Sequence, residues 1–278
     1  MEKSKILVCC HKQAEVYSDD IYTPIQVGKA LHPSIDLGYI TDFTGDNISD
    51  RNDVFCELTA QYWAWKNLKC KYVGLCHYRR YFNFTYDENS LDKDMKKYDI
   101  VLASPVNVGK SIFNFWEESL VNEDIHIFYQ YMVARFPDLK VQIDNFFIRG
   151  YEYSPCNMFV CDKKLFDEFA SWQFSILFDL EKLIKLSSYS RPRRILGYLA
   201  EGLLPFYASI NNLNIKFCPL VDFPNGKLLF HEDTIIGKVK NRIRNYLVTK
   251  NAYHMPDDIK VSLENAGIFE KIKFLVNE

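Results

Sequence analysis

The sequence predicts an α/β protein with a mostly parallel central sheet flanked by helices. Short apolar runs suited to buried strands alternate with longer stretches whose apolar residues recur at helical spacing. That alternation favours parallel strands covered by helices on both faces. The chain has 278 residues, 48% hydrophobic and 25% charged, which is enough for one or two compact domains with a large buried core.

Five elements are predicted in the first half of the chain, in the order strand, short helix or loop, helix, strand and strand: residues 6–10, 24–31, 54–68, 72–76 and 99–103. We expect the three strands to be neighbours in the sheet. The polar loop before the long helix is dense in turn and capping residues, and Asn52 or Asp53 is placed to cap that helix.

The second half continues the alternation with a helical region, a strand, a long amphipathic helix or helix pair, a helical stretch interrupted near Pro205, and a final strand: residues 116–136, 158–161, 163–185, 191–210 and 218–223. We expect residues 1–225 to form a single domain. Residues 226–278 are predicted to form a C-terminal helical extension that packs on this domain or trails from it.

Composition argues against several classes of protein. The net charge of −2 lacks the positive field that binds nucleic acid polymers. Eight cysteines without a CxxC pair predict reduced, buried thiols rather than disulfides or a zinc site. No window holds the roughly 18 to 20 uncharged apolar residues that span a bilayer. We therefore expect a cytoplasmic protein, with any membrane contact peripheral.

A basic stretch lies near the C-terminus, because residues 237–250 carry five cations and no acidic side chain. Two readings are open for it. It forms the solvated face of a helix, or it contacts anionic lipid or a phosphate-bearing acceptor at the inner face of the cell membrane.

The segment with the most chemistry follows the predicted strand at residues 72–76, which runs directly into His77, Arg79 and Arg80. Ligands of open α/β sheets bind beyond the carboxyl ends of strands. Two guanidinium groups suit a phosphate or pyrophosphate. The competing interpretation is a strand end with solvated arginines.

Four motifs in this region resemble the signature of the DUF4422 family: Asp46-Asn47-Ile48-Ser49 followed by Asn52, Cys56-Glu57-Leu58-Thr59-Ala60, Tyr62-Trp63-Ala64-Trp65-Lys66-Asn67, and His77-Tyr78-Arg79-Arg80-Tyr81-Phe82. Weaker resemblance extends it over roughly residues 5 to 225. The resemblance implies a GT-A-like glycosyltransferase of capsule, exopolysaccharide or lipopolysaccharide synthesis. Galactofuranosyltransferases belong to this family, and their donor is a UDP-sugar.

The sequence departs from the family pattern at three positions. Gly202 stands where members often carry arginine, and Trp116 and Leu120 stand where they carry tyrosine and histidine. These departures keep open the alternative of a nucleotide-sugar or carbohydrate-binding module that retains the fold without turnover.

The predicted nucleotide-sugar site has nine members: His77, Tyr78, Arg79, Arg80, Asp46, Asn47, Asn52, Glu57 and Thr59. The polar residues of the loop could bind uracil or ribose, although turn formation and helix capping account for them equally well. Glu57 is expected inside the helix, one turn from Gln61, where it could instead be a satisfied buried polar group.

Transfer of the sugar requires positive charge at the departing diphosphate. No Asp-x-Asp pair follows an apolar strand, so protein cations are expected to take the place of a metal, and no cofactor is expected. The predicted general base is Asp124, with Glu123 and Glu201 as alternatives. Helix capping by Asp124 is the competing interpretation. The expected partners are a UDP-sugar and a glycan or lipid-linked oligosaccharide acceptor.

Overall fold

The computed structural model describes residues 3–230 and 235–277, which divide into two compact units. The first unit comprises Met1–Pro105, Ser154–Phe174 and Ala200–His231, and the second comprises Val106–Tyr153, Ser175–Leu199 and Glu232–Glu278. The boundary expected at residue 225 does not separate the two units. Val106–Tyr153 and Ser175–Leu199, which lie before that boundary, belong to the same unit as the C-terminal helices.

The first unit is built on one mixed sheet whose described strands are β1 (Lys5–Cys10), β2 (Tyr22–Gln26), β3 (Ile40–Thr41), β4 (Tyr72–His77), β5 (Arg80–Phe82), β6 (Ile100–Ala103), β9 (Phe159–Asp162), β10 (Ile215–Cys218) and β11 (Leu220–Asp222). The main path runs β10-β6-β9-β4-β1-β2-β3. Along it only β9 is antiparallel to its neighbours. The predicted α/β class with a mainly parallel sheet is confirmed.

Strand order was only partly predictable. β1 and β4 are parallel neighbours, with Ile6 opposite Gly74, as expected. The expected adjacency of β4 and β6 is wrong, because β9 lies between them and pairs with both. The first three residues of β9 are apolar and suit this central position, where all three are buried.

β2 was missed by the sequence analysis, which expected a helix or loop from residue 24. In the structure Pro24 lies within β2 and pairs in register with Val8 of β1. Its other neighbour, β3, pairs only with Ile25 and Gln26, so the missing N–H of Pro24 removes no bond to β3.

The helices of the first unit are α1 (Asn52–Phe55), α2 (Leu58–Asn67), α3 (Glu88–Met95) and the parts of α7 (Lys163–Leu183) and α9 (Ile195–Ile210) that fall within it. The helix predicted at residues 54–68 is broken at Cys56, whose φ is 54°. No side chain caps α1, and Asn52 instead donates from Nδ2 to the carbonyl oxygen of Cys56 at 2.6 Å. The predicted cap is therefore wrong. α9 continues through Pro205, where an interruption was expected.

Apolar side chains from β1, β4, β6 and β9 form a continuous core on one face of the sheet, including Ile6, Cys76, Val101 and Val160. All eight cysteines are buried and free, which confirms the expectation of reduced thiols.

The second unit contains the described elements β7 (Val106–Asn107), β8 (Glu152–Tyr153), α4 (Ile112–Glu117), α5 (Asn122–Arg135), α6 (Lys140–Ile143), α8 (Ser190–Arg193), α10 (Ile235–Val248), α11 (Asp257–Asn265) and α12 (Ile268–Asn277). β7 and β8 pair with each other, and α11 and α12 pack on α5. Among the described helices, none is long and apolar enough to cross a membrane.

Gly74 provides a test of the strand order. A Cβ at this position would lie 2.8 Å from the carbonyl oxygen of Phe159 and 2.9 Å from Cγ2 of Val160. We expect Gly74→Ala to destabilise the protein by about 1–3 kcal/mol, because backbone of β9 must move. Chemical unfolding measures the change.

Gly38→Asn is the matched control, since a Cβ at residue 38 meets no atom within 4 Å and asparagine tolerates its φ of +73°. An unchanged unfolding midpoint for Gly74→Ala would contradict the packing of β9 on β4.

Candidate functional site

A tight hairpin forms at the carboxyl end of β4. β4 ends at His77, β5 begins at Arg80, and these two residues face each other across the turn. β5 then pairs with β11. The predicted charged loop is thus a hairpin held on both sides by strands, which fixes where its side chains point.

The two arginines of the hairpin lack an acidic partner. Arg79 is exposed, and its Cζ lies 5.2 Å from the ring centre of Tyr78. Arg80 is half-buried, and its Nη1 donates to Sγ of Cys156 at 3.4 Å. Neither guanidinium forms an ion pair within residues 3–230 and 235–277. Because a guanidinium has five N–H donors and sulfur is a weak acceptor, both arginines retain donors for an oxyanion.

More positive charge comes from β1, whose carboxyl end lies beside that of β4. The His11 ring meets the Tyr78 ring edge-on at 5.3 Å, and Lys12 Nζ lies 6.0 Å from the centre of the Tyr78 ring. The sequence analysis assigned no role to His11 and did not consider Lys12. Their position directly after the first strand was the available signal, because parallel neighbours end at the same sheet edge.

Behind the arginines, three polar side chains meet. Oε1 of Glu57 accepts a hydrogen bond from Nδ2 of Asn157 at 2.8 Å and lies 3.9 Å from Nε2 of His77. That same Nε2 is 2.8 Å from the carbonyl oxygen of Cys156. Since a carbonyl only accepts, Nε2 of His77 carries a proton and donates it there. Glu57 precedes α2 rather than lying inside it. Its hydrogen bond from Asn157 agrees with the interpretation of a satisfied polar group, and contact with a nucleotide-sugar stays a prediction.

Cys156 remains a neutral thiol in this cluster. Burial, and after it the negative charge of Glu201, raise the pKa of Cys156 to about 12. The same charge effect shows that Glu201, on α9, belongs to the surroundings of the hairpin. We call His77, Tyr78, Arg79, Arg80, Glu57, Cys156, Asn157 and Glu201 the hairpin cluster.

Backbone strain is concentrated next to this cluster. Cys56 has φ 54° and ψ −132°, Cys156 has φ 77° and Asn157 has φ 50°. Asparagine often adopts such angles, but cysteine rarely does, and each such residue costs about 1–3 kcal/mol. The strained residues set the positions of Glu57 and Asn157, and strain of this kind is typical of functional sites.

Two of the expected nucleotide ligands take part in a buried network around Asp42. This fully buried carboxylate accepts from the backbone N–H of Gly28 at 2.8 Å, from Oγ of Ser49 at 2.5 Å and from Oγ1 of Thr59 at 2.6 Å. Asn52 donates from Nδ2 to Thr59 Oγ1 at 3.0 Å. Asn52 and Thr59 therefore stabilise the loop before α2, and sequence reasoning missed the central carboxylate.

Asp46 and Asn47 shape the same loop. Oδ1 of Asp46 accepts from the hydroxyl of Tyr62 at 3.1 Å. Asn47 donates from Nδ2 to the carbonyl of Gly45 at 2.9 Å and accepts from the N–H of Ser49 at 3.2 Å. The turn-forming role is present in the structure, whereas contact with a nucleotide stays a prediction.

Asp124 and Glu123 belong to the second unit, in the first turn of α5. The helix begins after Val121 without a side-chain cap, so the capping interpretation of Asp124 is wrong. Asp124 is only 6% exposed, and its carboxylate bonds to no residue that the structure describes. Burial and the charge of Glu123 raise the pKa of Asp124 to about 7. Its proton is therefore exchangeable near neutral pH.

The sequence positions that depart from the family pattern have ordinary packing roles. Trp116 is 3% exposed and lies 5.7 Å, ring to ring, from both Phe128 and Phe147. The N–H of Leu120 bonds to the carbonyl of Trp116 at 2.8 Å, and Gly202 lies within α9. Across the described residues, no group of three or more His, Cys, Asp or Glu side chains is arranged to hold a metal ion.

The WbbM bifunctional glycosyltransferase, in its apo structure, superimposes with a TM-score of 0.73 and 28% sequence identity. The match covers 84% of this chain and 47% of that protein, so this chain spans about half of its length. No curated protein matches.

The match to a sequence family is broad. Residues 5–212 match the family described as a domain of unknown function, DUF4422, and they include the hairpin, the Asp42 network and α5. The matched segment is about three quarters of the 278 residues. This chain belongs to the DUF4422 family.

Proposed function

We propose that this chain is a glycosyltransferase that moves a hexosyl group from a UDP-sugar to a glycan acceptor. The observation that carries the proposal is the pair of arginines at the carboxyl end of β4, neither with an acidic partner among the described residues. The fold shared with a bifunctional glycosyltransferase supports it. Within the family, a galactofuranosyl group and an acceptor of bacterial surface polysaccharide, free or lipid-linked, are the specific form we propose.

The hairpin cluster is suited to a leaving diphosphate. Negative charge accumulates on the diphosphate as the glycosidic bond breaks, and cations already in place lower the barrier more than water that must reorganise. Arg79 reaches solvent, while Arg80 is held from behind by Cys156. Lys12, close to Tyr78, adds a third positive charge at the same edge.

We further propose that transfer needs no divalent metal. Metal-dependent enzymes of this type hold Mg²⁺ or Mn²⁺ through carboxylates that follow a strand. Here the residues that follow β4 supply guanidinium groups, and the next carboxylate along the chain is Asp87, which caps α3. Arginine keeps its charge at any working pH.

Asp124 is the proposed general base that removes the proton from the acceptor hydroxyl. An effective base has a pKa near the working pH, and burial gives Asp124 a pKa of about 7. Glu123 and Glu201 are the alternatives. Glu123 is more exposed than Asp124, and Glu201 lies near the thiol of Cys156.

The diphosphate site is tested with Arg79→Lys and Arg80→Lys, which keep the charge and remove the planar fork. We expect each to lower turnover of a UDP-sugar by about 10²–10³-fold, the usual effect of losing one stabilising donor. UDP binding, measured by calorimetry, should weaken as well. Arg191→Lys on α8 is the control, since Arg191 is also exposed.

Metal dependence is tested on the unmodified protein. Wild-type turnover should be equal in EDTA and in Mn²⁺. Activity that disappears in EDTA and returns with Mn²⁺ would contradict the metal-free mechanism, while the donor site would still stand. UDP binding without turnover of any UDP-sugar would favour the non-catalytic module instead.

Replacing the proposed base should affect chemistry rather than donor binding. We expect Asp124→Asn to lower turnover by about 10²–10⁴-fold while UDP affinity stays close to that of wild type. Glu123→Gln and Glu201→Gln are measured beside it. Full turnover by Asp124→Asn would rule out this base, and a larger loss in one of the others would move the role to that residue.

Asp124 also makes stability depend on pH. Because its pKa rises from 3.8 to about 7 on folding, the folded protein binds more protons than the unfolded chain between these values, so stability falls as pH rises through the window. Asp124→Asn removes this term. Between pH 4 and pH 8, we expect the free energy of unfolding of Asp124→Asn to increase relative to that of wild type by on the order of 1–4 kcal/mol.

Thermal unfolding across this pH range provides the measurement. Asp138→Asn is the control, because Asp138 is exposed and lies in the same unit. A constant difference between Asp124→Asn and wild type over the whole range would show that Asp124 titrates normally.

A further inference from the structure

Helix α10 exposes a row of apolar side chains. Val239, Ile243, Tyr246 and Leu247 are 57%, 64%, 63% and 59% exposed. Their spacing of four, three and one residues places them on one face of the helix. Scattered apolar residues are common on protein surfaces, but four on a single helical face form a continuous ridge. We call these four residues the α10 ridge.

The polar side of α10 is the one turned toward the rest of the second unit. Asn245 accepts at Oδ1 from Nδ2 of Asn107 at 3.3 Å, and the guanidinium of Arg244 lies close to Gly109. Val248, on the same side, is 7% exposed. A surface helix normally buries its apolar stripe and exposes its polar one. Among the apolar side chains of α10 that the structure describes, Val248 alone is buried and the ridge stays exposed, so packing within the unit does not account for the ridge.

Positive charge surrounds the ridge. Lys240 and Arg242 are both exposed. Helical spacing places them at opposite edges of the ridge. Lys250 lies with its Nζ 4.2 Å from the ring centre of Tyr246. Residues 237–250 contain five cations and no acidic residue. The surface therefore combines an apolar ridge with positive charges and no acidic side chain.

We infer that α10 lies on an anionic phospholipid surface, with the ridge inserted among the acyl chains and the cations at the headgroups. A helix with an apolar face, a basic border and low overall hydrophobicity is suited to the interface of a bilayer rather than to crossing it. Charge complementarity selects the occupant. A second copy of the chain would bring two sets of like charges together, whereas anionic headgroups neutralise them.

This surface is independent of the proposed transfer reaction. No residue of the ridge belongs to the hairpin cluster or is a proposed base, so the surface and the reaction can be tested separately. Failure of lipid binding would leave the glycosyltransferase proposal intact, and loss of turnover in the hairpin variants would leave lipid binding intact.

Co-sedimentation with vesicles tests the inference on the full chain. We expect at least tenfold tighter binding to vesicles of phosphatidylcholine with 30% phosphatidylglycerol than to pure phosphatidylcholine, and weaker binding at 0.5 M than at 0.1 M NaCl. Ile243→Asp with Leu247→Asp, and separately Lys240→Glu with Arg242→Glu, should each lower binding at least tenfold.

The matched control is Val141→Asp with Val261→Asp, because these valines are 65% and 53% exposed on other helices of the same unit. It should bind vesicles as the wild type does, and thermal unfolding verifies that all variants fold. Two results would overturn the inference: equal binding by wild type and both ridge and charge variants, or no binding of the wild type to the anionic vesicles. In the second case, a dimer that Ile243→Asp dissociates would assign the ridge to a second copy of the chain.

Discussion

The antiparallel pairing of β9 with β4 determines what the hairpin cluster contains. Leu75 pairs with Phe159, so the residues just before β9 lie beside the carboxyl end of β4. Continuing this register by two residues sets Asn157 opposite His77. A parallel strand in the same place would bring its own carboxyl end to this edge and leave Cys156 and Asn157 about four residues, or roughly 13 Å, away. Glu57 would then have no amide partner, and Arg80 no thiol behind it.

Side-chain hydrogen bonds hold the strained backbone that this arrangement requires. The carbonyl of Cys56 accepts from Asn52 at 2.6 Å, and the carbonyl of Cys156 accepts from His77 at 2.8 Å. Each bond contributes about 1 kcal/mol, comparable to the cost of one unfavourable φ angle. His77 thus has a structural task at Nε2, and the two arginines are left as the donors best able to bind an anion.

The sequence was informative wherever local pattern decides structure. Apolar runs located β1, β4, β6 and β9, and the break after residue 76 located the hairpin, because these features depend only on neighbouring residues. The position of β9 depends on pairing with segments more than 50 residues away along the chain, which no local pattern encodes. The φ angles of Cys56 and Cys156 were equally hidden, since cysteine carries no preference for them. Asp42 lies in a segment dense in turn residues, so its burial and its hydrogen bonds to Gly28, Ser49 and Thr59 could not be predicted from the sequence.

The identity of residue 156 explains why Arg80 keeps its charge available. A carboxylate at this position would form an ion pair with Arg80 and cancel much of the field directed at an anionic ligand. A thiol still fixes the guanidinium, with Nη1 at 3.4 Å from Sγ, but it carries no charge while its pKa stays near 12. Burial and the nearby Glu201 both raise that pKa, so the surroundings that position Arg80 also keep its partner neutral. Cys156 therefore orients the Arg80 guanidinium without forming an ion pair with it, which suits the oxyanion site proposed for the hairpin.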